Sequence, residues 1–297
     1  MVETRRVTFD SHGETLVGTL FLPEGGGRRP GLVLDGPLTS VKEQVASNYG
    51  RALAERGFVA LAFDHRHFGE SGGEPRQFES PPRKIEDIQQ AVSFLSTLPE
   101  VDPARIGAVG VCAGGGYMAG AVAREPRIKA WGAVAGFFHD AEKQREWMGA
   151  GYEKALEGAR AARRKWEETR EVESIPAVGK GDGPVAMPLA EAYEYYGTPR
   201  GAVSNYVNGF AVMSREDTLP YDAQHTAPEI RIPTVVIHSE KALAPALARK
   251  FYDALPGPKA IHWMESQGQI DFYDGALLIA AASDHLASHF ERAFSSQ

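Results

Sequence analysis

The stretch that decides the fold reads Arg105-Ile106-Gly107-Ala108-Val109, then Gly110-Val111-Cys112-Ala113-Gly114, then Gly115-Gly116-Tyr117-Met118 and on to Ala123. A short apolar run, a glycine-x-nucleophile-x-glycine turn and a train of small residues predict strand, sharp turn and helix in that order. Glycines at 110 and 114 leave room for a turn tight enough to lift the central side chain above a sheet and into a cleft. Alone, the five-residue motif also fits an inert cysteine packed as a small hydrophobe. The strand before it and the Ala, Gly and Met helix after it favour a nucleophile at Cys112.

Outward from this turn the chain alternates strand and helix. Val7–Phe9 and Thr15–Leu22 read as an antiparallel pair, and Gly25-Gly26-Gly27 turns the chain into a buried strand at Gly31–Leu34. A helix over about 41–55, a strand at Phe58–Phe63 and a helix over about 83–97 precede the Arg105 strand. A strand at Ile128–Ala135 follows the turn's helix. Thr234–His238, a helix over about 243–254, Ala260–Met264 and a helix over about 276–294 close the chain. This order predicts an α/β protein with a mostly parallel, doubly wound sheet covered on both faces. Between about 138 and 229 the alternation breaks, which divides the chain into a core of 1–137 and 230–297 and a helical lid inserted after the sixth strand.

Within the insert, Tyr152, Leu156, Ala159, Ala162 and Trp166 recur at three- and four-residue spacing, so one stripe is apolar and the charged run Arg160–Glu173 is a solvated helix face. Ile175–Pro188 carries three prolines and three glycines and reads as loop. Tyr193, Tyr195, Tyr196, Tyr206 and Phe210 form an aromatic group that packs the insert onto the sheet or lines a pocket above Cys112.

Composition narrows the class. With 43 % hydrophobic and 24 % charged residues the chain is an ordinary globular protein, and no stretch approaches the roughly 20 apolar residues of a membrane span. MVETRRVTFD has no apolar leader core, so a cytoplasmic location is expected. One cysteine excludes an internal disulfide and leaves Cys112 a free thiol. A net charge of −7 argues against nucleic acid or an anionic membrane as partner. The histidines show no metal-ligand spacing, and Ala113-Gly114-Gly115-Gly116 lacks the Lys-Ser/Thr ending of a phosphate loop, so neither metal nor cofactor is expected.

Five segments carry a resemblance: Phe63-Asp64-His65-Arg66-His67-Phe68-Gly69-Glu70-Ser71-Gly72-Gly73, Lys84-Ile85-Glu86-Asp87-Ile88, Leu98 to Gly107, the cysteine turn, and Asp271-Phe272-Tyr273-Asp274. Together they resemble the dienelactone-hydrolase-like branch of the α/β-hydrolases, which includes uncharacterised bacterial hydrolases and fungal polyketide transferases and thiohydrolases. The resemblance covers essentially the whole chain and implies the α/β-hydrolase fold, but not a substrate. Many relatives place a histidine base in the last loop, where this chain has Ser266-Gln267-Gly268-Gln269-Ile270. Gln269 stands in the histidine's place and cannot exchange a proton near neutral pH. At the usual acid position, after His238, the chain offers Glu240.

A thiol tolerates such losses better than a hydroxyl. Cysteine has a pKa of about 8.5, and a helix N-terminus can lower it, so Cys112 at the start of its helix is expected to ionise without a histidine. The N–H of Ala113 supplies half of an oxyanion hole, and Leu38 or Thr39 the other half, since Pro37 has no N–H. His139 and Asp140 follow the Ile128 strand on the rim where such sheets bind ligands, so His139 is either a displaced base or a cap for the strand. His67, on the same rim, is placed to reach the cleft, while Arg66 fastens the loop. The expectation is an acyl-handling enzyme that forms acyl-Cys112 from a hydrophobic ester, lactone or thioester, free or carrier-bound, as hydrolase, thioesterase or acyltransferase. Alternatives are a lyase or cyclase on the same fold and a binding protein without catalysis; a homodimer is left open.

Overall fold

A computed structural model describes residues 2–181 and 183–295. Strands β1 (Glu3–Ser11) and β2 (Glu14–Leu22) form an antiparallel hairpin, and β3 (Arg29–Asp35) begins the parallel part of the sheet. After α1 (Val45–Ala54) come β4 (Val59–Phe63), α2 (Pro81–Thr97), β5 (Val101–Val111), α3 (Ala113–Val122) and β6 (Ile128–Val134). The chain then leaves the sheet as α4 (Ala141–Met148), α5 (Gly151–Thr169), β7 (Ser174–Ile175), α6 (Ala190–Tyr196), β8 (Phe210–Ala211) and α7 (Arg215–Thr218). It returns as β9 (Thr234–His238), α8 (Pro245–Ala254), β10 (Lys259–Trp263), α9 (Asp271–Asp274) and α10 (Ala276–Ser295).

The eight-stranded sheet runs β1-β2-β4-β3-β5-β6-β9-β10, parallel from β4 onward. This is the α/β-hydrolase order of a doubly wound sheet. From β3 the chain winds outward to β4, then crosses back over β3 to β5. Loops leaving the carboxyl ends of β3 and β5 therefore diverge, and Asp35 and Gly110, paired in register, mark the crevice between them. Both faces are covered. Gly31 faces Leu95 of α2, while Gly107, one residue past Gly31's register partner Ile106, faces Phe290 of α10. Successive residues of a strand point to opposite faces, so these two helices lie on opposite sides. The central strands are buried on both faces, as their unbroken Val, Leu, Ala and Gly runs dictate.

In the insert, α5 buries Tyr152, Ala159 and Ala162 and leaves most of Arg160–Glu173 in water. Ala162, Ala211, Val212 and Met213 form a small cluster around Phe78, with Trp166 and Ile175 against it. One expectation is corrected at its edge: Ile175, the first residue of the expected loop, forms with Ser174 a two-residue strand paired with Phe210–Ala211. So short a ladder has no periodicity in sequence; it exists because the distant segment Phe210–Ala211 is brought alongside.

Candidate active site

Cys112 sits at the tip of the β5–α3 turn with φ +55° and ψ −124°, a conformation that ordinary side chains avoid. Flanking contacts hold it there. Cys112 donates its N–H to Val134 at 3.2 Å, and its carbonyl accepts from Gly115 and Phe137 at 2.9 and 2.7 Å. The two motif glycines are dictated by space. A Cβ at Gly110 would lie 2.4 Å from the Gly114 carbonyl oxygen, and one at Gly114 would lie 2.7 Å from that of Gly36. The turn thus brings α3 hard against the loop leaving β3.

That loop supplies donors selectively. Gly36 donates to Asp35 Oδ1 at 2.8 Å, Thr39 to Glu79 Oε2 at 3.1 Å, and Ser40 to the Pro37 carbonyl at 3.2 Å. Pro37 has no N–H to donate. Thr39 is held by Glu79 at φ +58°, in the left-handed region.

Three groups lie within hydrogen-bonding reach of the Cys112 sulfur: the Tyr273 hydroxyl, the Ala113 N–H and the Gln269 carboxamide. Gln269 is nearly fully buried, accepts from the Leu243 N–H at 2.9 Å and donates to the Ala135 carbonyl at 2.9 Å. Both ends of its side chain are thereby committed. Its loop is anchored from the insert, because Glu191 on α6 accepts the N–H groups of Gln269 and Ile270 at 3.2 and 3.3 Å. Burial pushes the Cys112 thiol up from its ordinary value, and the nearby Glu191 charge adds to the rise; the three hydrogen bonds oppose it without cancelling it. Burial thus works against the thiolate that the helix N-terminus favours.

Other expected residues lie elsewhere. Glu240 is exposed and paired with Arg249, not turned to the sulfur. Asp140 caps α4 through the Lys143 N–H at 3.0 Å and pairs with Lys250 at 2.6 Å, which ties the start of the insert to α8. His139 lies against Gly116, stacks on Tyr117 with centroids 5.1 Å apart and meets Phe137 and Tyr221 edge-on. Burial, with Lys84 nearby, lowers its pKa to about 3, so it is a neutral ring in an aromatic box near pH 7. His67 accepts from Arg83 at 3.0 Å and packs on Phe78, fastening its loop; burial and Arg83 lower its pKa to about 4. Tyr193 covers Gly197 and Phe210 belongs to β8, whereas Tyr196 lies close enough to Cys112 to feel its charge and stacks on Tyr206 at 5.2 Å.

Sequence reasoning missed Tyr273, Glu191 and Glu79 as site residues. Tyr273 was visible within the Asp271–Asp274 segment, but nothing local showed that its hydroxyl meets the thiol. Behind the β3 loop, His65 lies between Asp35 Oδ1 at 2.9 Å and Asp87 Oδ2 at 3.2 Å. Despite the opposing burial, these carboxylates raise its pKa. Glu43, Asp64 and Glu70 converge as a cation site would, but the Lys42 ammonium stands among them at 2.6, 2.8 and 2.6 Å.

With this geometry in place, comparison with known proteins is informative. The family model described as the dienelactone hydrolase family matches residues 17–155. The crystal structure of hypothetical protein PA2218 from Pseudomonas aeruginosa is 34 % identical, covers 98 % of this chain and 94 % of its own, and superposes with a TM-score of 0.85. The chain belongs to the dienelactone hydrolase family. Among family relatives, the polyketide transferase claH of Penicillium crustosum is 37 % identical over 120 residues, 39 % of each chain. A thiohydrolase of Eupenicillium brefeldianum is 26 % identical over 279 residues, 89 % of this chain and 86 % of its own. The hydrolase-type fold and relatives named as hydrolases support a hydrolase.

Proposed function

We propose that the protein is an acyl-transferring enzyme whose Cys112 sulfur takes an acyl group from a thioester, or more slowly from an ester or lactone, and passes it to a bound acceptor. One observation carries this reading: a cysteine on a strained elbow faces Gln269, whose carboxamide is committed to Leu243 and Ala135 where a general base would have to stand. The names polyketide transferase and thiohydrolase among its relatives support acyl transfer and thioester cleavage as the chemistry.

In the first half-reaction the sulfur adds to the acyl carbon, and the carbonyl oxygen, now negative, is held by the N–H groups of Ala113 and Leu38. Collapse breaks the bond to the leaving group and forms acyl-Cys112. The thiol proton leaves with the departing atom, relayed by the Tyr273 hydroxyl that touches the sulfur. A thioester suits this step because the departing thiolate is itself basic enough to take that proton, so a neutral resting thiol suffices. In the second half-reaction an alcohol, amine or thiol attacks the new thioester. Water is the weaker competitor because no side chain activates it. The residues of the insert serve as a lid over this chemistry.

Intact-mass measurement after incubation with N-acetylcysteamine acyl thioesters tests the reading. The expected result is a mass increase of one acyl group that persists in water and is absent from Cys112→Ala. No adduct and no thioester turnover with any chain length would reject it in favour of a lyase or a binding protein.

A further inference from the structure

The wall that faces Cys112 from the insert is not the apolar lining that a hydrophobic acyl chain asks for. Tyr196 lies beside the sulfur, and its ring stacks on that of Tyr206 at 5.2 Å. The hydroxyls of Tyr206 and Thr39 face one another, yet neither makes a well-formed hydrogen bond. Thr39 is fixed through its N–H to Glu79 Oε2 at 3.1 Å, and Glu79 is held by Lys84 at 2.8 Å. At the far end the Tyr117 hydroxyl, near the same carboxylate, also lacks a well-formed partner. Four buried hydroxyl oxygens, those of Tyr196, Tyr206, Thr39 and Tyr117, therefore lie along one linked series of side chains that begins beside the thiol, and none makes a well-formed hydrogen bond among the described residues. Thr39, Tyr117 and Tyr196 are each more than nine-tenths buried. Buried hydroxyls are ordinarily hydrogen-bonded, so a series of four calls for a partner from outside the chain.

We propose that this series is the acyl-side subsite and that it selects acyl groups bearing hydroxyl or keto oxygens along the chain over plain alkyl chains of equal length. The subsite rests on the reading of Cys112 as the acyl-accepting atom, which places the chain beyond the carbonyl against Tyr196. Tyrosine and threonine hydroxyls both donate and accept, so the series pairs with either oxygen function. A site built to hydrogen-bond such an oxygen disfavours the analogue that lacks it, because its own buried groups are then left unpaired.

Calorimetric binding to the Cys112→Ala protein, which cannot be acylated, separates the subsite from the chemistry. The probes are the N-acetylcysteamine thioesters of hexanoate, 3-hydroxyhexanoate and 5-hydroxyhexanoate. At least one hydroxylated thioester is expected to bind about tenfold or more tightly than hexanoate, the worth of roughly one good hydrogen bond to a buried group. In Tyr196→Phe and Tyr206→Phe versions of that protein the ratio should fall to about threefold or less. Equal binding of all three thioesters overturns the proposal, as does a ratio that survives in the double Phe variant; the three-thioester comparison decides even if a variant fails to fold. Discrimination without any acyl adduct on the wild-type protein would reject the nucleophile reading and leave the subsite standing. An adduct without discrimination would do the reverse.

Discussion

The two banks of the cleft are built to different ends. On one bank, β5, α3 and the loop after β3 assemble a strained elbow beside the proposed donors Ala113 and Leu38, and a Cβ at Gly110 or Gly114 would collide with backbone. On the opposite bank, Gln269 is held by hydrogen bonds at both ends of its side chain, and Tyr273 offers a hydroxyl whose ionisation burial pushes far out of reach. On the proposed reading the first bank captures an acyl group and holds the oxyanion, while the second relays the thiol proton through Tyr273 but offers no base for water. The two halves of a hydrolase site would then be separable, with loss of the base favouring transfer over hydrolysis.

The comparison breaks most simply at the sulfur. Cys112→Ala should lower acyl-thioester turnover at least about 10³-fold, since it removes the atom on which the elbow bank acts. Retention of turnover would show that this bank works without a covalent step. Next in size, Gln269→His should restore a base to the opposite bank and shorten the lifetime of the acyl adduct by roughly 10²-fold, followed by intact mass against time. An unchanged lifetime would mean that the missing base is not what preserves the adduct.

His139 tests whether a displaced histidine blurs the distinction. Its folded pKa of about 3 lies below the unfolded value of about 6.5, so its neutral form stabilises the fold above that value, and the contribution is lost as pH falls from 6.5 toward 3. Between pH 6.5 and 4 this is worth at most about 3 kcal/mol. His139→Phe should flatten that part of the stability profile in chemical denaturation and leave turnover within about threefold; a large drop in turnover would make it a base. Glu191→Gln removes a negative charge near the thiol and should lower the midpoint of the alkylation-versus-pH curve, whereas Tyr273→Phe removes a hydrogen bond and should raise it. Each shift is expected to change the alkylation rate at pH 7.5 by about tenfold or less. Glu240→Ala, on the surface beside Arg249, should change stability by no more than about 0.5 kcal/mol and turnover not at all.

The elbow bank was legible in the sequence because its instructions are local: an apolar run, two glycines with a nucleophile between them, and small residues thereafter. The opposite bank was legible only as an absence, Gln269 where a base was expected. What occupies that bank depends on contacts between residues far apart, such as Glu191 with the backbone at 269 and 270. The helix start at Ala113 suggested a low thiol pKa, while burial, which no motif encodes, pushes the thiol up. Glu240 and Asp140 were misplaced for the same reason, since position after a strand says nothing of which way a loop side chain turns. The small β7–β8 ladder escaped notice because two residues cannot display a period.

The bond between Glu191 and the loop at 269 and 270 bears on how such proteins can be rebuilt. Because α6 grips the backbone that carries Gln269, the insert is no interchangeable cap. Grafting another relative's insert onto this core would release that loop, so a chimera made to alter substrate choice would also reset the surroundings of the sulfur.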